Sequence, residues 1–248
     1  MDKIYTKKFQ IQTYEVDHRA KALTLSLLNY LQDTAGNHAA LLGFSVLDLL
    51  KKRMTWILSR YHVRIFRYPG LDERIVVSTW PSGKQGIFAL RDFEIADERG
   101  EILAAATSSW ILWNVNAKQP ARLEENLPDS VTHDKRALPD DFPTLPPCPT
   151  ADRELAFRVA MQDIDFNNHV NHAVYIQWAL ETVPEELLRT FRPTDIEVAF
   201  KGEAFYGEEI VSRVKRIGDD PGPVFLHGIF NGPKEAELTR LRTVWGRV

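Results

Sequence analysis

The densest run of chemistry-bearing side chains is Asp163-Ile-Asp165-Phe-Asn167-Asn168-His169-Val-Asn171-His172. Asp165, Asn167 and His169 stand at alternate positions, so in an extended segment their side chains point the same way. A carboxylate, a carboxamide and an imidazole converging on one spot can bind a carbonyl and move a proton. The helical pattern from His172 to Val183 follows directly. Its N-terminus would aim backbone N–H groups and the positive dipole end at that spot, where an oxyanion is stabilised. Asp and Asn are also ordinary helix caps, so the loop alone does not establish a site. A metal reading has His169 and His172, three apart, and no third ligand with clear spacing.

The elements that must position this cluster come twice. Phe9 to Val16 alternates large and polar residues like a strand. Leu27, Leu28, Leu31, Ala35, Ala39 and Leu42 recur at helical steps, with Thr24 or Ser26 as cap and Gly43 as stop. Strand-like runs follow at 54–67, 74–80, 87–96 and 102–114, separated by turn residues. In the second half a strand at 155–159 precedes the cluster, and runs at 195–205, 208–216, 223–230 and 237–247 follow the helix. One helix and a set of antiparallel strands, stated twice, predict an α+β fold built by duplication. Between the halves, Pro139, Pro143, Pro146, Pro147 and Pro149 mark an extended linker. The expected division is 1–128, a linker at 129–150, and 151–248.

Pairing Tyr30 with Tyr175 aligns the halves. It sets Ala20, Ala22 and Thr24 opposite Asp165, Asn167 and His169. The first half then keeps the fold signals without the reactive groups, so the expectation is one working site, in the second half.

Composition narrows the class. The chain has 248 residues, a net charge of −3, 44% hydrophobic and 26% charged residues, as a folded protein does. A charge so near zero argues against bulk nucleic-acid binding. The single cysteine, Cys148, excludes an internal disulfide and a cysteine-rich zinc site. No run approaches 18 apolar residues, and the N-terminus reads as neither signal nor transit peptide, so a cytoplasmic location is expected.

Strand, then Asp-x-Asn-x-His-Val-Asn-x-x-Tyr, then helix resembles the acyl-acyl carrier protein (acyl-ACP) thioesterases of plant plastids and bacteria. The resemblance extends through Tyr14-Glu15-Val16, Leu27 to His38, Trp80 to Gly86, Arg91-Asp92-Phe93 and Asp165 to Pro184. It implies a double hotdog fold, in which each unit is an antiparallel sheet around a central helix. It implies hydrolysis of a fatty acyl thioester on acyl carrier protein, with no metal and no cofactor. It also implies a catalytic carboxylate on the strand after the helix, which Glu203 fits. Where the family has a cysteine beside that carboxylate, this chain has Ala204, so chemistry must run through carboxylate, amide and imidazole.

On this reading Glu203 with His169 activates a water. Asn167 and N–H groups at the helix start bind the carbonyl. Asp165 is either orienter or nucleophile. Glu181, farther along the helix, is a rival carboxylate read here as a surface group. Leu27, Leu31, Trp56 and Trp80 in the first half are candidates to bind the acyl chain. Lys51-Lys52-Arg53, Arg64 with Arg67, and Arg213 with Lys215-Arg216 are candidate rims for the acidic carrier. A homodimer stays open. The rival readings are a hotdog acyl-CoA thioesterase and a non-catalytic acyl-binding protein on the same fold.

Overall fold

A computed structural model describes residues 3–148 and 150–247; Pro149 of the expected linker lies outside the described residues. The chain divides into two compact units, Met1–Asp141 and Phe142–Val248. The first unit contains β1 (Tyr5–Gln10), α1 (Thr24–Leu41), α2 (Val46–Lys51), β2 (Met54–Ile65), β3 (Arg74–Gln85), β4 (Phe88–Asp97), β5 (Ile102–Asn114), β6 (Gln119–Pro120) and α3 (Leu123–Asn126). Its strands pair antiparallel in the order β1-β3-β4-β5-β2, with β6 beside β5. The second unit contains β7 (Arg153–Arg158), α4 (His172–Glu181), α5 (Glu185–Leu188), β8 (Phe191–Phe200), β9 (Glu209–Gly218), β10 (Val224–Asn231) and β11 (Ala236–Arg247). Its strands pair antiparallel as β7-β9-β10-β11-β8. The two orders are the same topology, strand for strand. The fold is α+β, a double hotdog.

Each unit lays its principal helix on its sheet because that helix has an apolar face to bury. In α1 the face is Leu27, Leu28 and Leu31, each 1% exposed, and burying such side chains stabilises by about 1.5–3 kcal/mol apiece. In α4 it is Ala173, Tyr175, Ile176, Trp178 and Ala179. Gly43, at φ 76°, ends the first helical segment as expected. The start differs. Leu23 occupies the cap position without a side-chain bond, Thr24 is the first helical residue, and Ser26 donates to the Glu15 carbonyl.

Two local readings are corrected. The strand expected over 9–16 lies at Tyr5–Gln10, and Thr13–Glu15 is a 3-10 turn. Glu15 reaches back to the Gln12 N–H at 2.8 Å, and that local bond outcompetes extension. The strand expected over 195–205 lies at Phe191–Phe200, so Glu203 stands in the loop beyond it and not on the strand. The helix α2 was not among the expected elements; Ser45 and Asp48 cap it reciprocally.

The segment read as a linker is extended, but its first part is stitched into the first unit. Asp92, fully buried on β4, accepts from Ser82 Oγ at 2.9 Å, Thr107 Oγ1 at 2.6 Å, Arg136 Nε at 3.0 Å and Ala137 N at 2.7 Å. Trp80 Nε1 donates to the Lys135 carbonyl at 2.7 Å, and Lys135 Nζ lies 5.1 Å over the Trp80 ring. A buried carboxylate must be paired and hydrogen-bonded, and the 133–137 segment supplies half of its donors. Past Asp141 the chain serves the second unit, where Arg240 donates to the Leu145 carbonyl. We predict that Asp92→Ala lowers unfolding stability by about 3 kcal/mol, because it leaves the Arg136 cation without its partner. A urea melt at unchanged midpoint would count against this pinning.

Candidate active site

The cluster at the entry to α4 is a folded loop and not the extended segment expected. Asp165 N donates to the His169 carbonyl at 2.9 Å and Asn168 N to the Asp165 carbonyl at 3.0 Å. Asn168 takes the left-handed conformation, φ 66°. Reversal of the chain, and not strand alternation, therefore brings the imidazole back toward the carboxylate. The loop 201–208 lies against it: Val170 N donates to the Ala204 carbonyl at 2.9 Å, and Val159 N to the Glu208 carbonyl at 3.0 Å.

His169 stands between two carboxylates. Its Nδ1 is 4.0 Å from Asp165 Oδ1, and its Nε2 is 3.8 Å from Glu203 Oε1. Both distances exceed a direct hydrogen bond, a common state for catalytic groups without substrate. The Asp165 side chain is 17% exposed and that of Glu203 53%. Asp165 Oδ1 is engaged by the Asn167 backbone N–H at 2.7 Å. The Asn167 carboxamide is exposed and makes no hydrogen bond among the described residues. The structure thus brings Asp165, His169 and Glu203 together and leaves Asn167 at the surface of the same loop.

The N–H groups expected to bind a carbonyl at the helix start are largely spoken for. Ala173 N donates to Asn171 Oδ1, Val174 N to the Asn171 carbonyl and Asn171 N to the Asp163 carbonyl. His172 is the first residue of α4, its ring edge-on to Phe200, and burial pushes it down to about 4. It is neutral near pH 7. Among the described residues no group of three His, Cys, Asp or Glu could hold a metal.

Glu181 is exposed at the last turn of α4, about 13 Å along the helix from its start. That places the rival carboxylate well away from the cluster. Cys148 is 3% exposed, and burial pushes its thiol up, the wrong direction for a nucleophile. Ala204 is fully buried. In the first unit, Leu27 and Leu31 are buried on α1, and Trp56 donates to the Phe44 carbonyl at 3.0 Å. Trp80 is fully buried under the 133–137 segment.

The internal repeat is sharper than its sequence suggested, and it overturns the pairing of Tyr30 with Tyr175. From β1 to β7 the offset is 153 − 5 = 148, and from Thr24 to His172 it is again 172 − 24 = 148. From β3 to β9 it is 209 − 74 = 135. The 18-residue α1, longer than the 10-residue α4, contributes most of the difference. Aligned so, the counterparts of Asp165, Asn167, His169 and Glu203 are Asp17, Arg19, Lys21 and Tyr68.

The backbone frame agrees bond for bond. Asp17 N donates to the Lys21 carbonyl, Ala20 N to the Asp17 carbonyl, and Ala22 N to the Pro69 carbonyl. Arg19 N donates to Asp17 Oδ1 at 2.9 Å. Ala20, opposite Asn168, is left-handed too, at φ 55°. Glu73 and Glu208, which sequence reading missed, cap the facing loop in both units through Gly70 N and Phe205 N. Their signal was a glutamate three residues beyond the turn's first amide.

With this geometry, comparison with known proteins is decisive. Residues 2–131 match the acyl-ACP thioesterase N-terminal domain, and residues 148–247 match its C-terminal domain. This chain belongs to the acyl-ACP thioesterase family. An acyl-[acyl-carrier-protein] hydrolase of Cuphea viscosissima is 30% identical over 98% of this chain and 62% of its own length. An oleoyl-acyl carrier protein thioesterase of Arabidopsis thaliana is 28% identical over 80% of this chain and 59% of its own. The chain therefore spans about three fifths of the length of those two relatives.

Among solved structures, an acyl-ACP thioesterase from Bacteroides thetaiotaomicron superposes with TM-score 0.88 at 26% identity, covering 98% of each chain. A 12:0-ACP thioesterase from Umbellularia californica gives TM-score 0.88 and 26% identity, over 100% of this chain and 99% of that one. Within this chain, the first unit carries the same loop frame with a different set of side chains.

Buried imidazoles give the fold an acid-sensitive side. His227 on β10 is fully buried, with Nε2 2.8 Å from Thr243 Oγ1. Thr243 Oγ1 also accepts from Trp245 Nε1 at 2.8 Å, so the imidazole and the indole share one hydroxyl. Burial pushes His227 down to about 3 and His38 to about 4 from 6.5. The unfolded chain then binds protons first as pH falls, so stability is full above about pH 6.5 and declines toward about pH 3. We predict a falling urea midpoint between about pH 7 and pH 4.5, with a shallower slope in His227→Gln. An equal slope in both proteins would assign the loss to other groups.

Proposed function

We infer that this chain hydrolyses the thioester of a fatty acyl-acyl carrier protein, releasing the free fatty acid and the carrier thiol. The observation that carries this reading is His169, held between Asp165 and the solvent-accessible Glu203, in a chain whose two halves both match the family. The plant relatives named above as acyl-ACP hydrolases and thioesterases support the same substrate class.

In this mechanism a water attacks the thioester carbonyl carbon while Glu203, with His169, takes its proton. The Asn167 carboxamide, free of other bonds, donates to the carbonyl oxygen as negative charge builds there. The carbon–sulfur bond then breaks, and the proton returns to the departing thiolate from the His169–Glu203 pair.

Asp165 is an orienter. Its counterpart Asp17 holds the same backbone turn in a unit that has neither imidazole nor carboxamide at the equivalent positions. The carboxylate is thus accounted for by the loop, and its second effect is to face His169 Nδ1. The basic rims differ in availability: Arg67, Arg213 and Arg216 are ion-paired to Glu73, Glu154 and Asp219. Lys51 lies 3.6 Å from Asp48, but Lys52 and Arg53 beside it have no ion pair among the described residues, which favours those two as the carrier-facing rim.

Purified protein given acyl-ACP and matched acyl-CoA substrates should show the higher kcat/KM on acyl-ACP; the reverse order would establish the acyl-CoA reading. Tight acyl binding without product would establish the non-catalytic one. His169→Ala, Asn167→Ala and Glu203→Ala should each cut kcat/KM at least about tenfold without unfolding; a fully active His169→Ala enzyme removes the assignment. A single turnover in ¹⁸O-water should place label in the fatty acid and none in Asp165. Label recovered in Asp165 would mean an acyl anhydride and a nucleophilic carboxylate.

A further inference from the structure

Tyr175 lies on α4, 3% exposed, with its ring edge-on to Trp178 and Phe200. Its hydroxyl accepts the Ala204 N–H at 2.8 Å. The other side of that residue, the Ala204 carbonyl, accepts the Val170 N–H at 2.9 Å. Ala204 follows Glu203, and Val170 follows His169. The helix therefore grips the glutamate loop through Ala204's amide, and the histidine loop grips it through the carbonyl. The separation of His169 Nε2 from Glu203 Oε1, 3.8 Å, rests on both bonds.

A buried N–H needs an acceptor wherever it occurs, so the bond could be ordinary satisfaction of the backbone. The first unit is the internal control. Its Ala22 N donates to the Pro69 carbonyl at 2.9 Å, as Val170 N does to Ala204. Pro69 is thus the counterpart of Ala204, and proline has no N–H to satisfy. At the offset of 148, the counterpart of Tyr175 is Leu27, which has no hydroxyl. The same pair of loops is built there with neither donor nor acceptor. The hydroxyl and the amide are kept together in the unit that has His169 and Glu203, and are absent together in the unit that has Lys21 and Tyr68.

We propose that Tyr175 is a positioning residue for the hydrolysis, its hydroxyl setting Glu203 against His169 through the Ala204 amide. This rests on the thioesterase reading above, and it identifies a residue on the helix face that the reaction needs for geometry and not for contact with substrate.

The test uses two variants of the full chain. Tyr175→Phe keeps the ring and leaves the Ala204 amide without its acceptor. Adding Ala204→Pro copies the first unit's solution and removes the amide as well. The expected result is a lower melting temperature and at least a tenfold lower kcat in the single variant, with KM changed less than twofold. The double variant regains the melting temperature and does not regain kcat. Recovery of both together would overturn the proposal, since the hydroxyl would then only have satisfied a buried donor.

Should the double variant fail to fold, hydrogen exchange on the single variant decides. Faster exchange of the Ala204 and Val170 amides with kcat lowered supports the proposal, and unchanged exchange or unchanged kcat overturns it. An unsubstituted protein that hydrolyses no acyl thioester defeats the thioesterase reading instead. Exchange at those two amides then still tells whether Tyr175 holds the loops together.

Discussion

The site depends on how a chain enters a helix. At α4 the backbone must turn, expose its first amides and still satisfy each of them. Polar side chains do most of that. Asp163 takes the Ala160 N–H, Asp165 takes that of Asn167, and Asn171 takes that of Ala173. Glu208 does the same for Phe205 on the facing loop. Subtracting these leaves Glu203 and the Asn167 carboxamide uncommitted to the backbone, and His169 held to it only by a long contact of 3.4 Å between Nδ1 and the Val170 carbonyl. The separation between structural and chemical polar residues is thus a matter of hydrogen-bond accounting, and it divides a run of Asp, Asn and His that looks uniform by composition.

The duplication makes the division independent of any view about mechanism. Glu15, Asp17 and Glu73 repeat the capping in the first unit, so a carboxylate at each of those places belongs to the fold. Among the positions that change are Arg19 for Asn167, Lys21 for His169 and Tyr68 for Glu203. Tyr68 turns its hydroxyl to Thr24 Oγ1 at 3.0 Å, a local bond in place of an exposed acid. One loop frame therefore carries two different side-chain sets, and only one of them pairs an imidazole with a free carboxylate.

Most of this architecture was legible as pattern. The strands from 54 to 114 and from 208 to 247, both principal helices and the motif at 163–172 follow from periodicity and turn residues, within a few positions at their ends. What pattern missed was decided by tertiary partners. The 9–16 alternation broke at Glu15 because a carboxylate found a backbone amide three residues back. The Pro-rich stretch looked structureless, yet Arg136 and Ala137 complete the shell around Asp92, which no local rule could announce. Tyr30 and Tyr175 are alike in residue type and not in role. Role is set by which amide a side chain satisfies, and Ala20 and Asn168, unlike in chemistry, are the same left-handed corner.

The same accounting bears on the order of events at the thioester. Were Asp165 to attack a carbonyl carbon, its carboxylate would become a neutral acyl group, and the charge-assisted bond that Oδ1 accepts from the Asn167 N–H would weaken. A hydrogen bond to a charged group is worth about 1.5–3 kcal/mol. That loss would fall on the frame that carries His169, loosening the imidazole at the moment it is needed. Glu203 has no such obligation. Its side chain is half exposed, and the loop behind it is anchored through the neighbouring alanine and not through its own carboxylate. A group that can accept a proton without disturbing its support is the better base, and a group that holds its neighbour in place is the better orienter. On that physical ground the proposed hydrolysis gives the base's part to Glu203 and the orienter's part to Asp165.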